Sequence, residues 1–80
     1  MESLLDVTKV VVRSGYNLEL EFENGELRMF DMSPYMNKKP FIRLKDSAAF
    51  KCAFIDYGTV VWPGNIDIAP ETLYDLSVPL

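Results

Sequence analysis

The sequence contains no histidine and a single cysteine, Cys52. Without imidazole, the Ser-His and Cys-His nucleophile pairs are excluded, and so are zinc sites built on histidine or on several cysteines. One cysteine makes no internal disulfide, which fits a reducing compartment, and a cytoplasmic location is expected. No apolar run approaches the roughly 20 residues of a membrane-spanning helix. The opening residues Met-Glu-Ser-Leu-Leu-Asp-Val-Thr-Lys lack a basic stretch followed by an apolar one, so no signal peptide is expected. There is no glycine-rich phosphate loop, repeat, linker or low-complexity tract. A carboxylate-only mechanism needs two acids converging in a cleft, and an 80-residue chain has little volume for one. The expectation is a protein that is not an enzyme and takes no cofactor and no metal.

What is present is the composition of one small domain, residues 1–80, with 49% hydrophobic and 25% charged residues. A chain this short buries only about 60–65% of its unfolded surface, so its stability margin is thin. The net charge is −4 and unevenly spread. Residues 38–51 hold Lys38, Lys39, Arg43, Lys45 and Lys51 against one acid, Asp46. Five cations and one acid make that window +4, so a total of −4 leaves −8 for the remainder. An acidic chain with one basic segment is a poor general binder of nucleic acid. The segment reads most simply as a solvated surface, with Lys38, Lys39 and Arg43 as its candidates for contact with an anion or a partner.

The first half reads as strands. Val7–Arg13 is short and β-branched, and Ser14-Gly15-Tyr16-Asn17 is a turn cluster. In Asn-Leu-Glu-Leu-Glu-Phe-Glu, Leu18, Leu20 and Phe22 alternate with Glu19, Glu21 and Glu23, the period of a half-buried strand. Asn24-Gly25 is a strong signal for a two-residue hairpin turn, with the next strand over residues 26–32. That turn sets Phe22 opposite Leu27, Glu21 opposite Arg28, Leu20 opposite Met29 and Leu18 opposite Asp31. It leaves Glu23–Glu26 as a like-charge pair and Asp31 as a carboxylate on the apolar face. Asp31 is then either a functional acid or, as we favour, an acceptor of backbone N–H groups from the Met32-Ser33-Pro34 turn.

Ser33-Pro34-Tyr35-Met36 suits one helical turn with Ser33 as cap, broken at Lys38-Lys39-Pro40. Phe41, Ile42 and Leu44 are expected to anchor this connector to the sheet. Asp46 should cap a short helix, residues 47–51, with Phe50 as its core residue. A second hairpin is expected around Tyr57-Gly58, pairing Ile55 with Val60 and Phe54 with Val61. Both faces of its strands are apolar, so they are covered on two sides or by another chain. Pro63 stops the strand and Gly64-Asn65 turns the chain. Ile66 and Ile68 point one way and Asp67 the other, and Pro70 opens a last helix with Glu71 in its first turn.

Val61-Trp62-Pro63, Asp67-Ile68, Pro70-Glu71 and Leu73-Tyr74 together resemble the closing motif of the bacterial family called domain of unknown function 2442. Phe22, Asn24-Gly25, Asp31, Ser33-Pro34, Phe41, Leu44 and Phe50 fall where that family has its strand, hairpin, turn and connector. One departure is the order Gly64-Asn65, where the family has Asn-Gly. The resemblance implies a small α+β domain with an antiparallel sheet, about five strands in hairpins and two or three short helices packed on it. It also implies a prokaryotic protein proposed as the antitoxin-like partner of a small neighbouring protein. Some relatives add a helix-turn-helix domain, for which this sequence has no room after Leu80.

The closing motif has a mechanical reading. Trp62 is a large core residue, Pro63 ends its strand, Asp67 and Glu71 satisfy turn and helix-start N–H groups, and Leu73 and Tyr74 dock the last helix. The competing reading is a ligand site in which Trp62, Asp67 and Tyr74 hold a small polar or cationic group. Three function classes follow. The favoured one is a non-enzymatic protein-interaction module whose partner is another protein chain, toxin-like and encoded nearby, or a second copy in a dimer. The alternatives are a DNA-associated autorepressor and a small-ligand-binding domain. Val10, Val11 and Val12, on both faces of an edge strand, and the apolar tail Leu76-Ser77-Val78-Pro79-Leu80 are the features expected to meet a partner.

Overall fold

The computed structural model describes residues 5–80. The start of the chain, residues 1–4 of the stretch read above for a signal peptide, lies outside the described residues. The fold is α+β, as expected, but its strands form two antiparallel sheets. The first has the order β1 (Val7–Arg13), β2 (Asn17–Phe22), β3 (Leu27–Asp31) and β7 (Val78–Pro79). The second has the order β4 (Phe54–Asp56), β5 (Thr59–Trp62) and β6 (Ile66–Ile68). Two 3-10 turns, Ser33–Tyr35 and Phe41–Leu44, and helix α1 (Ser47–Phe50) connect the sheets. Helix α2 (Pro70–Asp75) precedes β7. No helix of the described residues is long and apolar enough to cross a membrane.

One register differs from the expectation. The connection between β2 and β3 is a three-residue loop, not a two-residue one. The Gly25 amide donates to the Phe22 carbonyl (2.8 Å), and the Phe22 amide donates to the Glu26 carbonyl (2.9 Å). Gly25, at φ +88°, takes the left-handed bulge position that follows such a turn, where a glycine costs nothing sterically. Leu20 therefore faces Arg28, Leu18 faces Phe30 and Asn17 faces Asp31. A one-residue slip moves every side chain of β3 to the other face. Phe30 enters the core, Arg28 follows it inward, and Leu27, Met29 and Asp31 turn outward. The expected Glu21–Arg28 pair does not form. Glu21 instead lies 3.8 Å from Lys9.

The core is a single cluster fed by both sheets. Leu18, Leu20, Phe22 and Phe30 of the first sheet meet Val60, Trp62, Ile66 and Ile68 of the second. Met32, Met36, Leu44 and Phe50 fill the space beneath the connector, and Leu73 closes it from α2. A run of ring contacts crosses the connector, Phe30 to Tyr35, Tyr35 to Phe41, Phe41 to Trp62 and Trp62 to Phe50. Ile42, expected as an anchor, is exposed: the 3-10 turn that buries Leu44 and half-buries Phe41 points it outward. Asp46 caps α1 as expected, its carboxylate accepting from the Ala48 amide at 3.0 Å. The Tyr57-Gly58 hairpin has the expected pairing of Ile55 with Val60 and Phe54 with Val61. Both of its turn residues lie at positive φ, 51° and 73°. The Gly58 carbonyl accepts from the Val7 amide at 2.8 Å, which ties the second sheet to the start of β1.

Two capping expectations are corrected. Met32, not Ser33, holds the cap position of the first 3-10 turn. Ala69 precedes α2 and gives no side-chain cap, while Asp67 is exposed opposite Val61. The tail pairs its backbone with its own sheet and leaves the side chains of Leu76, Val78 and Leu80 exposed. Val78 pairs with Met29 and Pro79 with Arg28, making β7 the edge beside β3.

Candidate functional site

Arg28 is a cation on the core side of β3, with its side chain only 13% exposed. Its Nε donates to the Ser77 hydroxyl (2.6 Å) and its Nη2 to the Ser77 carbonyl (2.9 Å). Its Nη1 meets the Glu26 carboxylate at 3.0 Å. The guanidinium carbon lies 4.5 Å from the centre of the Tyr74 ring, a cation–π contact. The Tyr74 hydroxyl donates to Glu26 (2.7 Å), and its ring meets Phe22 edge-on. That hydrogen bond holds the Glu26 carboxyl below its ordinary value and the Tyr74 hydroxyl above its own. Five residues thus latch α2 and β7 onto the first hairpin. The planar five-donor fork of arginine suits this geometry, and lysine could not reproduce it. The arrangement presents no open acid–base pair to a substrate.

The outward side of the first sheet follows from its register. Directly paired residues share a face, so Val11, Glu19, Met29 and Val78 form one row across the strands, and Lys9, Glu21 and Leu27 form the next. Leu80 extends the second row through its amide, which donates to the Leu27 carbonyl at 3.0 Å. The face divides into two halves. On β1 and β2 the charges are paired, Lys9 with Glu21 and Arg13 with Glu19 (2.9 Å). On β3 and β7 these two rows are apolar, with Leu27 49%, Val78 60% and Leu80 62% exposed and Met29 half-buried, and the Asp31 carboxylate lies at the end of β3 beyond them. β1 forms the other edge of this sheet, so Val10, Val11 and Val12 do lie on an edge strand. Val10 and Val12 turn toward the core and Val11 away from it.

Trp62, Asp67 and Tyr74 do not converge. Trp62 is 0% exposed, and its indole N–H donates to the Phe50 carbonyl at 2.9 Å. Trp62 pairs with Ile66 on the inner face of the second sheet, so the adjacent Asp67 points to the opposite face. Tyr74 belongs to the latch on Arg28. Lys38, Lys39 and Arg43 are all exposed on the connector. Lys38 lies 5.9 Å from the Tyr35 ring centre, and Arg43 donates to the Gly64 carbonyl at 3.2 Å. Among the described residues none of the three makes an ion pair with an acid. Asp31 accepts from the Ser33 hydroxyl (2.6 Å) and amide (2.9 Å), which holds its carboxyl below the ordinary range. It has the backbone-capping role favoured from sequence, but on the outer face.

Sequence reasoning missed the latch. Its signal was an arginine flanked by Leu27, Met29 and Phe30 in a short strand, hidden by the expected register. A family model described as a protein of unknown function, DUF2442, matches residues 7–79. No curated protein and no solved structure matches the chain.

Proposed function

The chain belongs to the DUF2442 family, and from its surface we propose that it is a non-enzymatic protein-interaction module. The observation that carries this reading is the apolar half of the outer face, formed by Leu27, Met29, Val78 and Leu80. The charged half beside it is already paired, so covering the face strands no lone charge there. The partner is another protein chain. When the chain is alone, a second copy takes that place in a two-fold dimer, since one apolar patch can meet itself across a two-fold axis. The finer reading is an antitoxin-like role toward a small protein encoded beside it. Co-expression of the tagged chain with the product of the adjacent gene tests this. Co-purification lost in Leu27→Glu supports the reading, and co-purification unchanged by Leu27→Glu contradicts the surface. The absence of histidine and the lack of a converging acid pair in the latch support a role without catalysis.

The exposed cations Lys38, Lys39 and Arg43 favour one second reading, a DNA-associated autorepressor. A gel shift on its own promoter with salt titration separates the two. Binding by the isolated chain that weakens steeply with salt supports the DNA reading.

A further inference from the structure

An open groove of about 400 Å³ runs between the β1–β2 turn and helix α1, apart from the apolar outer face. Half-buried Val12 and Tyr16 form an apolar floor, with the buried Phe50 ring beneath it. The Tyr16 and Phe50 rings meet edge-to-face, with centroids 5.1 Å apart. The exposed lining is polar, with Arg13, Ser14, Ser47 and Lys51 at the rim. Among the described residues no acid lines the groove. The volume lies within the range of about 300–1,000 Å³ typical of small-molecule sites.

The rim has donors to spare. Lys51 has no acid partner among the described residues. Arg13 commits Nε and Nη2 to Glu19, at 2.9 Å each, which leaves Nη1 outside that pair. The two serine hydroxyls are exposed on either bank. Lys51 and two hydroxyls, with the free Nη1 edge of an Arg13 already paired to Glu19, favour an anionic group over a cationic one. The floor favours a flat apolar body, which can stack against or abut the ring edges. Tyr16 lies at φ +62°, a left-handed conformation costly for a bulky residue. Its hydroxyl, donating to the Lys45 carbonyl at 2.5 Å, and its contact with Phe50 hold the ring in that place.

We propose that this groove binds a small organic anion, its carboxylate or phosphate head on the Lys51 and Arg13 side and its flat apolar body on Tyr16 and Val12. The site lies apart from the apolar half of the outer face and shares with that face only the Arg13–Glu19 pair.

Titration of the isotope-labelled full chain with phenyl phosphate and with benzoate, followed by amide NMR, tests it. Expected are saturable shifts concentrated at Val12–Tyr16 and Ser47–Lys51 with at least one of the two anions. The tighter of them identifies the head group. Lys51 is exposed, so Lys51→Glu keeps its dispersed spectrum and weakens binding tenfold or more. Neutral benzyl alcohol and inorganic phosphate each bind more weakly than the better anion, since each supplies half of the contacts. The proposal is overturned if neither anion saturates. It is also overturned if shifts centre on Lys38–Lys45, or if a folded Lys51→Glu binds as well as the wild type.

Discussion

Replacing Arg28 with alanine should destabilise the domain by about 2–4 kcal/mol. Three donated hydrogen bonds and one cation–π contact are lost. Hydrogen bonds to a charged group are worth about 1.5–3 kcal/mol each. The two to Ser77 share one acceptor residue and do not add fully. The pair with Glu26, whose side chain is 36% exposed, is screened by solvent and contributes the smaller part. The buried Ser77 carbonyl also loses a donor. Against a margin of about 4–12 kcal/mol for a domain of this size, the loss is a large fraction. At about 4–8 °C per kcal/mol, Tm should fall by about 8–32 °C. Urea unfolding and calorimetry measure the global effect. Amide exchange measures the local one, because the Leu80 amide bonds to Leu27 only while β7 is latched. Its exchange should accelerate more than that of Leu20 in β2. Arg28→Lys should recover less than half of the loss, since an ammonium cannot fork to both Ser77 acceptors. An Arg28→Ala protein that melts within about 3 °C of wild type, with Leu80 still protected, would refute the latch.

Trp62→Ala should cost about 3–5 kcal/mol, because a fully buried indole leaves a cavity and the Phe50 carbonyl loses its shorter hydrogen bond. A cooperative melt near that of wild type would contradict the packing. Asp31→Asn should cost on the order of 1 kcal/mol at neutral pH. The Asp31 carboxyl is held below its ordinary value of 3.8, so its contribution is present above that pH and is lost as pH falls through the lowered value. The gap in Tm between Asp31→Asn and wild type should therefore close below about pH 3.8, and a gap that stays constant with pH would contradict this. Tyr57, 93% exposed at φ 51°, occupies a turn position that asparagine tolerates better. Tyr57→Asn should raise stability by about 0.5–1 kcal/mol in chemical denaturation, and a destabilised variant would show that the exposed ring contributes.

The α+β class, the second hairpin, the Asp46 cap and the proline-led last helix were all legible, because local chemistry decides each of them. Tyr57-Gly58 closes a two-residue turn, and Pro70 opens a helix where its missing N–H costs nothing. The first hairpin was not legible from its turn, since Asn-Gly serves a two-residue loop and a three-residue bulged loop alike. The misfit was visible in the strand. The expected register pointed Asp31 into the apolar face and Phe30 out of it, and a one-residue slip reverses both. β7 was not legible because two residues, one of them proline, carry no period, and its pairing depends on Arg28 half a chain away. The lack of convergence of Trp62, Asp67 and Tyr74 follows from strand alternation at Trp62 and Asp67 and from the docking of α2, which only tertiary structure reveals. The outer apolar half depends on the same slip, which turned Leu27 and Met29 to solvent.

Sedimentation velocity on wild type and Leu27→Glu, over a tenfold range of micromolar concentration, tests the interaction surface most directly. Leu27 is half exposed, so the glutamate is tolerated by the monomer fold, and matching circular dichroism spectra verify that. The account predicts that the wild-type mass rises toward that of a dimer while Leu27→Glu remains monomeric. A wild-type mass fixed at the monomer value across the range, or a dimer that Leu27→Glu leaves intact, would contradict it.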